Sequence, residues 1–168
     1  MGVTNFYYLC AKLTFMKIWT LFFGLLFVMG ACKQDTVSYE EQFKIDTEAI
    51  EKYLAENNLT AQKTASGLYY IITLQGQDGR PGPTSTVTVG YKGSLLDGTV
   101  FDATIGSNWA QFNVSGVVPG FGEAVQLLEK KGRGTFIMPS GLGYGTRASG
   151  SIPANSPLIF EIELVDFF

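Results

Sequence analysis

The chain of 168 residues contains no histidine and only two cysteines, Cys10 and Cys32. Metal sites built on His or Cys are therefore excluded, and so are Ser-His and Cys-His nucleophilic catalysis. Basic charge is also in short supply, with 12 Lys and Arg against 15 Asp and Glu, which disfavours a nucleic-acid partner. Long apolar runs are missing as well: between Lys17 and Lys33 there are 15 uncharged residues, fewer than the roughly 20 that span a bilayer.

That short run nevertheless has a pattern. Met16-Lys17, the stretch Ile18 to Met29 and then Gly30-Ala31-Cys32 read as a basic start, an apolar segment and a small-residue cleavage site, which together form a secretory signal. The alternative is a membrane anchor, which the length opposes. The small pair before Cys32 resembles a lipobox, so Cys32 is expected to carry the lipid of an envelope lipoprotein after cleavage of residues 1–31. Residues 1–15 fit no part of such a signal, and Met16 makes its natural start. Cleavage removes Lys12, Lys17 and no acid, so 10 basic and 15 acidic residues remain and the charge moves from −3 to −5. A single cysteine also remains, which leaves no pair for an internal disulfide.

Residues 32–65 read as a tether up to about Tyr39, followed by a short helix over Asp46 to Asn57. Asp46 is the expected cap, with Glu48 and Glu51 in the first turns. Ile50, Tyr53 and Leu54 recur at helical spacing, and Phe43 extends their stripe. So short a helix needs a surface to cover, and docking on the following domain of a monomer is expected rather than a dimerising arm. From Ser66 the period changes to two. Leu68 to Ile72 precede a Gly/Pro-rich turn at 76–83, and Val87, Val89 and Tyr91 share a face before a hairpin turn at Asp97-Gly98. One amphipathic helix, with Phe121, Ala124, Val125 and Leu128 on a common stripe, follows Pro119, and strands at 134–138 and 157–167 close the domain. The expected fold is α+β: an antiparallel sheet curled around one short helix, with a short N-terminal helix ahead of it.

The motifs come in a specific order. Val89-Gly90-Tyr91-Lys92-Gly93 and Asp97-Gly98-Thr99-Val100-Phe101-Asp102 are followed by Phe112-Asn113-Val114 and Gly116-Val117-Val118-Pro119-Gly120-Phe121. Leu142-Gly143-Tyr144-Gly145, Ile152-Pro153-Ala154-Asn155 and Leu158 to Leu164 complete the series. Residues 66–168 thereby resemble the FKBP-type peptidyl-prolyl cis/trans isomerases. The resemblance implies a proline-binding pocket in which Asp102, Tyr144, Tyr91 and Phe101 are catalytic and Phe112, Val117, Val118, Phe121, Ile152 and Phe160 hold substrate. Phe121 stands where the family often has Trp. The loop between Tyr144 and Ile152 is about one residue shorter than usual, and 103–111 offers no arginine to orient Asp102.

By the same resemblance the partners are X-Pro segments of exported proteins and the family's macrolide inhibitors, with no cofactor. Isomerisation makes and breaks no covalent bond, so a site without histidine suits it. A non-catalytic holdase gripping Pro-containing segments in the same pocket, and a structural lipoprotein subunit, are the competing readings. Gly141 to Gly145 lacks the helix and the Lys-Ser/Thr of a phosphate loop, and Asp97 and Asp102 lack calcium-loop spacing. Alternating aromatics in a small β domain are ordinarily core, and for Tyr91, Phe112 and Phe160 pocket wall and core are compatible readings.

Overall fold

The computed structural model describes residues 37–168 apart from Ser107. The expected signal segment, Cys32 and most of the tether lie outside these residues. Ser38 caps helix α1 (Tyr39–Glu56): its Oγ accepts the Glu41 N–H at 3.2 Å, and Glu40 and Glu41 occupy the first turn. A hydroxyl on the orphan amides and acidic charge at the positive end of the helix dipole favour a start here. The helix thus begins well ahead of the expected Asp46, at the residue where the tether was expected to end. Asp46 sits in mid-helix and is buried.

Seven strands follow: β1 (Gln62–Lys63), β2 (Tyr69–Leu74), β3 (Thr86–Leu95), β4 (Val100–Ala103), β5 (Ala110–Asn113), β6 (Arg133–Met138) and β7 (Leu158–Phe167). They form one antiparallel sheet in the order β1-β2-β6-β7-β3-β4, with β5 also on β3. The sheet starts at Gln62, slightly ahead of the expected Ser66. One edge of β3 is shared, because Thr86–Val89 pair with β5 and Lys92–Ser94 with β4, while β7 runs along the other edge. The β3–β4 hairpin turns at Asp97-Gly98, where Leu95 N–H reaches the Thr99 carbonyl at 2.9 Å and Asp97 Oδ1 accepts the Thr99 N–H at 2.8 Å. That hydrogen bond holds the exposed Asp97 carboxyl below its usual range.

Helix α2 (Pro119–Leu127) crosses the inner face of the sheet. Pro119 opens it, where a missing N–H costs nothing. Phe121, Ala124, Val125 and the C-cap Leu128 are buried against Leu68, Val87, Val89, Phe136, Met138, Leu158, Phe160, Ile162 and Leu164. Strand alternation sends the intervening residues to the other face. There Tyr69, Ile137 and Ile159 form a second cluster with Ile50 and Leu54 of α1. The sheet is therefore covered on both faces over part of its area, and the expected docking of the N-terminal helix is realised through the expected stripe.

Candidate active site

Five aromatic rings converge between β3, β4, β5, α2 and β7. Phe121, at the start of α2, meets Tyr91, Phe112 and Phe160 edge-on, with centroids at 5.7, 5.9 and 5.1 Å and interplanar angles of 82–83°. Phe101 meets Phe160 at 5.6 Å and 79°. Edge-to-face contacts place the positive ring edge of one aromatic on the negative face of the next, which fixes angle as well as distance. Gly93 on β3 makes room for the Phe101 ring, since a Cβ there would collide with it and with Phe160. The rings leave a cavity of about 330 Å³ lined also by Asp102, Gly116, Val117, Val118 and Tyr144. Its size suits a single small ring or peptide side chain with its flanking backbone.

Three polar side chains, Tyr91, Asp102 and Tyr144, stand at the apolar wall. The Tyr91 hydroxyl donates a hydrogen bond to Asp102 Oδ2, which supplies the orienting partner that residues 103–111 lack. Burial, then the Asp102 hydrogen bond and negative charge, push the Tyr91 phenol above its ordinary value, because each disfavours a phenolate. The phenol therefore stays a donor through the neutral range. Tyr144 also lines the cavity, from the loop after β6, and is 40% exposed. Ser140 anchors that loop: its carbonyl accepts the N–H groups of Gly143 at 2.9 Å and Gly145 at 2.8 Å, one on each side of Tyr144.

Residues 77–165 match the family model for FKBP-type peptidyl-prolyl cis-trans isomerases. This chain is an FKBP-family protein. A probable FKBP-type peptidyl-prolyl cis-trans isomerase, FkpA, of Neisseria meningitidis is 42% identical over 126 residues, which are 73% of this chain and 46% of that protein. The outer membrane protein MIP of Legionella longbeachae is 45% identical over 102 residues, 60% of this chain and 44% of the relative. The crystal structure of FkpA from Escherichia coli superposes with a TM-score of 0.64 at 29% identity, covering 76% of this chain and 63% of that one. The chain spans about half the length of the curated FKBP relatives it matches.

Of the ten FKBP pocket positions named from the sequence, the structure brings nine to one cavity: Tyr91, Phe101, Asp102, Phe112, Val117, Val118, Phe121, Tyr144 and Phe160. Ile152 departs from the expectation. Expected to hold substrate, it instead has its side chain buried in the inner core, and its N–H donates to the Ser149 carbonyl at 2.9 Å. The shortened loop closes as a tight turn over Ser149 to Ile152 and uses that donor itself. Gly116 also lines the cavity, although only its motif, and not its position, pointed there.

Proposed function

We propose that this chain is a peptidyl-prolyl cis/trans isomerase that assists the folding of exported proteins in the cell envelope. One observation carries the reading: an aromatic cavity of about 330 Å³ with a Tyr91–Asp102 pair and the Tyr144 hydroxyl on its wall, in a member of this family. Rotation about the X-Pro amide faces a barrier of about 18–20 kcal/mol because resonance is lost on twisting. At the 90° twist the amide is less dipolar than in either planar form. A site that replaces water with ring faces and edges therefore favours the twisted form over both ground states, which is differential binding without a proton transfer.

In this scheme Tyr91, Phe112, Phe121 and Phe160 grip the pyrrolidine ring while Phe101 closes the side toward β4. Val117 and Val118 lie at the entrance to α2, where the Val118 amide is the donor for a flanking carbonyl. Tyr144 adds a hydroxyl donor. Asp102, held by Tyr91, places its charge beside the rotating carbonyl carbon. The test is an exchange assay on X-Pro peptides with the mature chain. Asp102→Leu is expected to lose most of kcat/KM with the fold intact, and Tyr144→Phe about two- to tenfold, the worth of one hydroxyl. Equal turnover of wild type and both variants would leave shape and desolvation as the whole mechanism. No turnover by the wild type would remove the isomerase reading.

The envelope assignment rests on the signal-like segment ending at Cys32 and on likeness to a relative named an outer membrane protein. Among the described residues no helix is long and apolar enough to cross a membrane, and attachment is assigned to a lipid on Cys32. Palmitate-analogue labelling should tag the wild type and spare Cys32→Ser; equal labelling would remove the anchor. Macrolide inhibitors of the family are expected in the same cavity, with the chain acting as a monomer.

A further inference from the structure

Helix α1 lies upstream of the residues matched by the family model, which begin at 77, yet it is tied to the loop that carries Tyr144. Asp46 is 1% exposed. Its Oδ2 accepts both the Ser140 N–H at 2.7 Å and the Ser140 Oγ–H at 2.6 Å. Its Oδ1 accepts Gln42 Nε2 at 2.7 Å from one turn earlier in the same helix. Ser140, also 1% exposed, is the residue whose carbonyl collects the Gly143 and Gly145 amides around Tyr144. Asn155 N–H then holds the Gly145 carbonyl at 2.7 Å. A continuous path of hydrogen bonds thus runs from a carboxylate on α1 to the peptide groups that flank the pocket tyrosine.

A second contact follows the same route. The Tyr39 ring, at the first residue of α1, lies close enough to Gly141 that a Cβ there would approach Tyr39 Cε2 to 2.8 Å. Leu142, next in the loop, packs toward the pocket-floor helix, where its Cβ lies 3.1 Å from the position of a Cβ on Gly120. The loop is therefore held between α1 on one side and the start of α2 on the other. Burying a carboxylate is costly unless its lone pairs are filled, and apolar contacts of Ile50 and Leu54 would dock the helix without it. The position of the charge is explained by what it holds.

We infer that Asp46 is a positioning residue for isomerisation: through Ser140 it sets the loop that holds Tyr144 at the cavity, so that the α1 helix belongs to the active site although it contributes no group to it. This rests on the isomerase reading for its kinetic consequence but not for its structural one. Asp46→Ala removes the acceptor, Ser140→Ala removes one donor and leaves the backbone bond, and Asp46→Asn keeps an acceptor oxygen for both Ser140 donors.

The experiment is a double-mutant cycle on kcat/KM for an X-Pro peptide with the mature chain, together with hydrogen exchange at the Gly143 and Gly145 amides. Asp46→Ala is expected to lower kcat/KM about five- to tenfold, Ser140→Ala less, and Asp46→Asn about twofold at most. In a Tyr144→Phe background the Asp46→Ala loss should shrink to about twofold or less, since coupled sites are not additive. The Gly143 and Gly145 amides should exchange faster in Asp46→Ala while those of β6 and β7 keep their protection. An undiminished loss in the Tyr144→Phe background would overturn the inference, as would unchanged exchange at both glycines. If Asp46→Ala does not fold, Ser140→Ala carries the same cycle. Should the wild type prove inactive, the isomerase reading falls, and the exchange measurement alone decides whether Asp46 sets the loop.

Discussion

Helices α1 and α2 lie on opposite faces of one sheet and are held by different chemistry. Helix α2 is fixed by apolar contact, with Phe121, Ala124, Val125 and Leu128 set into the inner core, and the pocket opens beside Phe121. Helix α1 rests on a smaller apolar cluster and adds a buried carboxylate bonded across the chain to Ser140. Apolar packing is non-directional, whereas a carboxylate that takes both the amide and the hydroxyl of Ser140 accepts one register. The large face supplies stability and the pocket; the small face supplies alignment of one loop.

Removing the smaller face altogether tests this contrast most severely. A chain beginning at Ala61 uncovers Tyr69, Ile137 and Ile159 and forfeits the burial of Ile50 and Leu54. At about 1.5–3 kcal/mol for each aliphatic side chain, it should fold cooperatively but be about 3–6 kcal/mol less stable in urea unfolding. Failure to fold would mean that both faces form one indivisible core. Phe121→Ala strikes the larger face and should cost about 3–5 kcal/mol, with loss of turnover. A cost well below that range would mean that the pocket wall contributes little to the larger face.

The pH response of the pocket face is gentler. The Tyr91 phenol, raised by burial and by Asp102, adds stability that is fully present below the ordinary value of about 10 and is lost as pH rises beyond it. Thermal melts of wild type and Tyr91→Phe should therefore keep a constant difference up to about pH 9 and converge only above 10. The smallest effect belongs to the surface pair of half-buried Lys130 and exposed Asp166, 2.7 Å apart. The Lys130 hydrogen bond holds the Asp166 carboxyl below its usual range. Its contribution is present above about pH 4 and lost as pH falls through the lowered value. Acid melts of Asp166→Asn should differ from wild type above that pH and merge below it.

What can be read from the sequence divides along the same line. The inner face announces itself locally, in alternating strands, the stripe from Phe121 to Leu128 and the ordered motifs, and nine pocket positions are legible there. The outer face is legible only in outline. Ile50, Tyr53 and Leu54 give the helix, but the mostly polar run from Tyr39 to Lys44 hides its first two turns. Asp46 followed by Glu48 and Glu51 looks like a cap when viewed locally. Its real partner is 94 residues away, and no periodicity connects them. Ile152 is misplaced for a related reason: a motif fixes its order in the chain, while the length of the preceding loop decides whether its amide is free.

That separation of 94 residues has a consequence for how the chain comes into being. Synthesis delivers α1 early and its docking site late, since Ile137, Ser140 and Ile159 all lie far downstream of it. Until they arrive, Ile50 and Leu54 lack the strand surface that covers them, and most of a helix's stability in a protein comes from packing its apolar face. Closing so long a loop is slow relative to local pairing, so α1 should be the last element to lock during folding. For that interval the chain is itself a folding client with an exposed apolar stripe.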